Sequence, residues 1–208
     1  MSQKNEKDML AYENTLYEQG YKYIAGIDEA GRGPLAGSVY AAAVILPQGC
    51  IIDGLRDSKK LTEKKREELF DVIIKEALAY GICAVDSDRI DEINILEATF
   101  EAMRGAVDKL EIKPDFVMVD GNRIKGFDDF EHATLIGGDD LSLSIAAASV
   151  LAKVSRDRYM AQMAKEYPEY EFEKHKAYGT ARHRELIKQY GPCPIHRKSF
   201  KGVKEYVK

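Results

Sequence analysis

Apolar residues fall along this chain in two patterns: short unbroken runs, and longer stretches in which every third or fourth position is apolar. Glu6 to Gln19 sets Met9, Tyr12 or Glu13, Leu16 and Tyr17 near helical spacing, with Gly20 as a stop. Tyr21 to Asp28 (YKYIAGID) then reads as a strand, and a second strand spans Gly37 to Leu46. Only Gly31-Arg32-Gly33-Pro34 and its flanks separate these runs, so an antiparallel pair is expected. Leu61 to Leu78 predicts an amphipathic helix, capped by Thr62 and burying Leu69, Phe70, Ile73, Ile74 and Ala77. A third strand follows at Gly81–Asp86, and then one continuous helix from Asp91 to Leu110. Asp115–Asp120 (DFVMVD) and Ala133–Ile136 predict two more strands. Ser142 to about Tyr167 is a long helix rich in Ala and Ser, Gly179–Tyr190 a final helix, and the end a basic coil. Strands alternating with helices indicate an α/β domain, and the short first connection makes its sheet mixed.

Composition narrows the class. The 208 residues are 45% hydrophobic and 32% charged, as in globular proteins, enough for one domain with an appendage or two small ones. The longest apolar run, Ser38 to Pro47, falls short of the roughly 20 residues that span a bilayer, so no membrane association is expected. The opening MSQKNEKDML lacks the apolar stretch of a signal peptide. Cys50, Cys83 and Cys193 form neither a disulfide framework nor a zinc pattern, and a reducing cytoplasm is the expected setting. A net charge of −4 taken alone argues against a nucleic-acid partner. Its distribution changes that picture. Residues 1–150 carry 17 Lys and Arg against 28 Asp and Glu, whereas residues 151–208 carry 14 against 7 and three of the four histidines. An acidic body with a basic flank is the result.

Candidate chemistry lies where strands run out. Asp28 and Glu29 end the first strand, and Asp120 ends DFVMVD just before Gly121. Carboxylates held together repel unless neutralised, and hard divalent cations such as Mg²⁺ or Mn²⁺ are the usual solution. Such sites hydrolyse phosphodiesters. Spacing leaves open the plainer alternative that each acid caps a neighbouring turn. Glycines in Gly31-Arg32-Gly33 let backbone N–H groups approach a phosphate or sugar, though most glycine loops are simply tight turns.

Six stretches carry a family resemblance: AGIDEAGRGPLAGSVYAAAVILP (Ala25–Pro47), DSKKL (Asp57–Leu61), NILEAT (Asn94–Thr99), VDGN (Val119–Asn122), GDDLSLSIAAASVLAKVSRDRYM (Gly138–Met160), and HKAYGT with a later HRKSF. In content and order the chain resembles ribonuclease HII. The resemblance implies an RNase H-like fold, a central mixed sheet flanked by helices with a C-terminal helical extension. It places the catalytic domain and N-terminal helix at residues 1–165, and a basic extension contributing to substrate binding at 166–208. It implies endonucleolytic cleavage of RNA in RNA–DNA hybrids and of duplex DNA holding single ribonucleotides. The cut falls 5′ of the ribonucleotide, leaving 3′-hydroxyl and 5′-phosphate ends, with Mn²⁺ or Mg²⁺ as cofactor and a monomer as the working form.

Asp28, Glu29 and Asp120 fall on the family's metal-binding acids. The fourth acid, six residues ahead of the SIAAAS helix, falls on Asp139 rather than Asp140. Gly31, Arg32 and Gly33 match the loop that recognises the ribose-to-deoxyribose junction. Tyr178 matches the tyrosine that packs on the deoxyribose after it. Lys59, and with it Lys60, is a candidate phosphate contact; Arg156 and Arg158 are weaker ones. His175, His183 and His196 are expected in structural or phosphate roles. Two departures stand out: Gly137 replaces a lysine ahead of Asp139, and Ala177 replaces a glycine beside Tyr178. Ribonuclease HIII is the nearest rival, but the stretch ahead of Ala25 is too short for its extra N-terminal domain. A catalytically silent nucleic-acid-binding module and a small-nucleotide phosphohydrolase are the rivals from other classes.

Overall fold

The computed structural model describes residues 8–55 and 61–207. The chain runs through α1 (Ala11–Glu18), β1 (Ile24–Ala30), β2 (Val39–Ile45), α2 (Glu63–Glu76), β3 (Ala79–Val85), α3 (Ser87–Ile93) and α4 (Ile95–Asp108). It continues with β4 (Phe116–Asp120), β5 (Glu131–Leu135), α5 (Leu143–Glu166), α6 (Phe172–His175) and α7 (Ala181–Tyr190). The five strands form one mixed sheet in the order β3-β2-β1-β4-β5. As the short glycine loop predicts, β1 pairs antiparallel with β2; β4 lies parallel to β1 on its other side, and β5 parallel to β4. Connections therefore leave β1 in opposite directions, and the crevice beyond its carboxyl end is the usual place for a site.

Side chains alternate across the sheet with the two-residue period of a strand. Ile27, Val39, Ala41, Ala43, Val117 and Val119 pack on one face with Ala98, Ala102 and Met103 of α4. Ala42 and Val44 pack on the other with α5 and with Leu69, Phe70 and Ile73 of α2. Thr62 caps α2 as expected, accepting from the Lys65 N–H at 3.2 Å. Ile74 and Ala77 are only partly buried against that core.

The helix expected from Asp91 to Leu110 is two. Asn94 adopts a left-handed φ of 70°, and its side-chain oxygen accepts from Leu96 N–H at 2.9 Å and Glu97 N–H at 3.2 Å. An Asn competing in this way for backbone donors starts a helix rather than continuing one.

The long helix α5 sets the position of the site. Its amino end rests directly on β1, where a Cβ at Gly26 would overlap the backbone of Ser144 and Ile145. Ser142 caps it, accepting from the Ile145 N–H at 3.2 Å. The buried carboxylate of Glu13 on α1 accepts from Ser142 Oγ at 2.7 Å and from the Ser144 N–H at 3.1 Å. The Ser144 N–H, otherwise unpaired at the helix start, is thereby satisfied by a carboxylate, the favourable kind of group there. Beyond α5 the chain folds back on it, with Tyr170, Phe172 and Leu186 packing on Met160 and Met163. His196 then bridges to Ala36, next to the glycine loop.

Candidate active site

The pairing of Ile27 with Val119 sets Asp28 and Asp120 side by side at adjacent strand ends, on the α5 face. Glu29, one residue on, points the opposite way, as the strand period requires. Asp28 is buried; its carboxylate accepts the Glu29 N–H at 2.7 Å and a hydrogen bond from Ser149 of α5. Burial first, and then repulsion from Glu29 and Asp120, pushes its pKa well above the ordinary carboxylate range. Burial also raises Glu29, with Asp120 adding to the rise, while Arg32 at 3.2 Å pulls it back. Asp139 is buried in the short turn ahead of α5, and the N–H of Gly138 beside it donates to Asp120 Oδ1 at 2.7 Å. Asp28, Glu29 and Asp120 are thus electrostatically coupled, and a hydrogen bond ties the Asp139 turn to them. Gly137, where the family carries lysine, has a left-handed φ of 68°, which glycine adopts at no steric cost.

A cationic cleft opens beside the acids, lined by Glu29, Gly31, Arg66, Lys153, Arg156 and Tyr178. Ser149, Lys153 and Arg156 occupy one face of α5 at spacings of four and three residues. That periodicity is legible in SVLAKVSR, yet Ser149 and Lys153 are not singled out by sequence reasoning; Arg66, reaching in from α2, carries no sequence signal. Arg158 faces elsewhere, bonded to Glu67 at 3.0 Å with its guanidinium 4.2 Å from the Phe70 ring centroid.

Gly31, with φ of 101°, lies against the Arg156 side chain so closely that a Cβ would overlap it. A Cβ at Gly33 would sit 3.7 Å from the Tyr178 ring, which is 47% exposed, with the Arg156 guanidinium 5.9 Å from its centroid. Glycine loop, tyrosine and arginine therefore meet at one lip of the cleft. Lys59 and Lys60 lie outside the described residues. Ala177 is buried with φ of 67°, a conformation that costs a non-glycine residue about 1–2 kcal/mol.

The histidines resolve into structural roles at Tyr178. The hydrogen-bond network assigns their tautomers: His196 Nε2 donates to His183 Nε2 at 3.1 Å, and His183 Nδ1 donates to the Tyr178 carbonyl at 3.0 Å. His175 Nε2 donates to the Tyr170 carbonyl, while its Nδ1 accepts the Ala177 N–H at 3.2 Å. Burial holds His183 down to about 4 and His196 to about 3, so both are neutral and inaccessible to a phosphate.

Among the described residues no group of three His, Cys, Asp or Glu side chains is arranged to hold a metal ion by itself. A hard cation that keeps several waters, and takes one or two carboxylates plus a substrate phosphate, needs no such cage. Buried, mutually repelling carboxylates without a thiolate or imidazole among them fit that class of ion.

The family model for ribonuclease HII matches residues 25–203. The ribonuclease HII of Caldicellulosiruptor bescii is 54% identical over 200 residues, 96% of this chain and 97% of its own length. The crystal structure of ribonuclease H2 from Pyrococcus horikoshii OT3 superposes with a TM-score of 0.75 at 29% identity, covering 88% of this chain and 96% of that one. Bst-RNase HIII in complex with Mn²⁺ shares the fold at 16% identity, with a TM-score of 0.70 over 99% of this chain and 74% of its own. Among the described residues no helix is long and apolar enough to cross a membrane. A family model matched over residues 25–203 and a relative more than half identical over nearly the whole of both chains make this chain a member of the ribonuclease HII family and a ribonuclease H.

Proposed function

We propose that the protein hydrolyses the RNA strand of RNA–DNA hybrids and cuts 5′ of single ribonucleotides in duplex DNA, leaving 3′-hydroxyl and 5′-phosphate ends. The observation that carries this reading is the coupled set Asp28, Glu29 and Asp120, whose member Glu29 lines the cleft of Arg66, Lys153, Arg156 and Tyr178. Asp28, Glu29, Asp120 and Asp139 would hold Mn²⁺ or Mg²⁺. When bound, the cation supplies the charge neutralisation and water activation that phosphodiester hydrolysis needs. Arg66 and Lys153 draw the substrate backbone to the acids and fix its register, with Lys59 as a further phosphate contact, while the buried Arg156 bonds the Ala36 and Lys176 carbonyls and supports the glycine loop.

Gly31, Arg32 and Gly33 present backbone to the sugar, where the 2′-hydroxyl is the group that marks a ribonucleotide. The exposed Tyr178 ring packs on the next sugar and leaves no room for a second hydroxyl. Residues 166–208 form the extension that supports Tyr178, and the positive balance of the C-terminal part provides the cationic side of the site. The protein works as a monomer in the cytoplasm.

A panel of labelled duplexes tests the reading: one with a single ribonucleotide, one uniform RNA–DNA hybrid, one all-DNA, each with Mn²⁺ or Mg²⁺. Cleavage of the first two, with the cut 5′ of the ribonucleotide and a 3′-hydroxyl end, is expected. Binding without cleavage would favour a silent binding module, and hydrolysis of free nucleotides alone a small-nucleotide phosphohydrolase.

A further inference from the structure

The glycine loop is held from the far end of the chain. Arg197 is fully buried, with its guanidinium 5.1 Å from the Phe200 ring centroid. Its Nε donates to the Gly37 carbonyl at 3.0 Å. Its Nη1 donates to the Arg32 and Pro34 carbonyls at 2.9 and 2.8 Å, and its Nη2 to the Gly31 carbonyl at 2.6 Å. Its own backbone N–H donates to the Leu35 carbonyl at 2.9 Å. The segment carrying it is itself fixed, since the Asp91 carboxylate accepts the N–H groups of Lys198 and Ser199 at 2.7 and 2.9 Å. A buried guanidinium thus binds four carbonyls of a seven-residue loop containing two left-handed glycines, Gly31 and Gly37. Only a planar fork of five donors reaches so many acceptors at once; a lysine ammonium is a single point with three.

The geometry has a consequence for the amides. In a planar trans peptide the C=O of one residue and the N–H of the next point in opposite directions. Drawing the Gly31 and Arg32 carbonyls inward to Arg197 therefore turns the N–H groups of Arg32 and Gly33 outward, at the lip of the cleft. Among the described residues neither amide donates to a backbone carbonyl. Gly33 lies beside the exposed Tyr178 ring, so these donors flank the place where a sugar would stack.

We propose that Arg197 is a positioning residue for ribose discrimination: by fixing the carbonyls of Gly31 and Arg32, it aims the amides of Arg32 and Gly33 at the substrate 2′-hydroxyl. This rests on the reading above that the site distinguishes ribose from deoxyribose. Arg197 touches no substrate. Its loss would blunt recognition of the ribonucleotide while leaving backbone attraction by Arg66 and Lys153 in place.

The test is equilibrium binding without divalent metal, so that no cleavage intervenes, of wild type and Arg197→Lys to a duplex with one ribonucleotide and to its all-deoxy counterpart. Two amide hydrogen bonds to a neutral hydroxyl correspond to a preference of about tenfold or more. Wild type is expected to show it, and Arg197→Lys to fall within about twofold of no preference, with unchanged affinity for the all-deoxy duplex. A purely structural role would lower both affinities together. Wild-type discrimination retained in folded Arg197→Lys overturns the assignment to Arg197 alone. Absence of discrimination in wild type, even where it cleaves, overturns the sugar-reading loop and the assignment with it.

Amide hydrogen exchange of the wild type gives a second readout that does not depend on the variant folding. The amides of Arg32 and Gly33 are expected to exchange rapidly in the free protein and to slow on binding the ribonucleotide duplex, but not the all-deoxy one. Strong protection in the free protein would overturn the proposal, since those donors would then face inward.

Discussion

Gly26 is where sequence, packing and activity meet most tightly, and Gly26→Ala tests their connection. Its φ lies outside the left-handed region, so alanine adds no backbone strain and the effect is steric. The new Cβ would sit 2.6 Å from the Ser144 carbonyl oxygen and closer still to Ser144 C and Ile145 N, where ordinary contact begins at 3.4 Å. All three are backbone atoms of α5, which no rotamer change can move aside. The helix start and β1 must therefore separate by about an ångström. Overpacking of this kind costs about 1–3 kcal/mol. At roughly 2–4 °C per kcal/mol for a chain of this size, Tm falls by about 2–12 °C.

The same displacement draws the Asp139 turn from Asp28 and strains the 2.7 Å hydrogen bond from Gly138 to Asp120. An ångström of misplacement in a reacting constellation costs about 10²-fold in rate. The assay is turnover on a single-ribonucleotide duplex, measured well below the melting transition so that both proteins are fully folded. Wild-type Tm and turnover in Gly26→Ala would refute the steric argument. A lowered Tm with full turnover would refute the claim that α5 sets the spacing of the acids.

Asp28→Asn should raise Tm in metal-free buffer, because it removes a buried charge repelled by Glu29 and Asp120 while keeping an acceptor for the Glu29 N–H. A gain of about 1–2 kcal/mol is expected, and thermal denaturation in chelator that shows a loss would contradict it. Tyr178→Ala should impair cleavage at single ribonucleotides more than it shifts Tm, since the ring is half exposed; a stability defect alone would make it a core residue.

Native His183 and His196 stay neutral, with pKa values near 4 and 3, whereas their unfolded counterparts take up protons below about 6.5. Their contribution is present above 6.5 and lost as pH falls towards 4, about 1–2 kcal/mol per histidine by pH 5. Urea midpoints at pH 7 and pH 5 measure it, and an equal drop in His196→Gln would show that His196 is not responsible.

Much of this architecture is legible in the sequence because it is local. Short unbroken apolar runs mark β1 and β2, the brief glycine loop between them makes them antiparallel, and Thr62 announces its helix. Asp28, Glu29 and Asp120 are recognisable as acids that interrupt apolar runs. Adjacency is not legible. Nothing in the spacing says that Ile27 pairs with Val119, which is what joins Asp28 to Asp120. The break at Asn94 is hidden by continuous helical periodicity on either side, since a single side-chain cap outweighs the pattern. Arg197 is the extreme case. Its partners lie some 160 residues earlier in the chain, and in sequence it is one cation among many in a basic tail.

The net charge of −4 misleads for a related reason. Charge acts through where the fold places it, and here Lys153 and Arg156 from the basic part line one cleft with Glu29 from the acidic part. The central claim is that Asp28, Glu29, Asp120 and Asp139 act with a divalent cation to cut beside a ribonucleotide. Its most direct test compares wild type and Asp120→Asn on a single-ribonucleotide duplex, with Mn²⁺ and with chelator, at equal concentrations of folded protein. Wild type should cleave only with the ion, and Asp120→Asn should not exceed the chelator level under either condition. Near-normal turnover by Asp120→Asn, or full wild-type cleavage in chelator, would contradict the account.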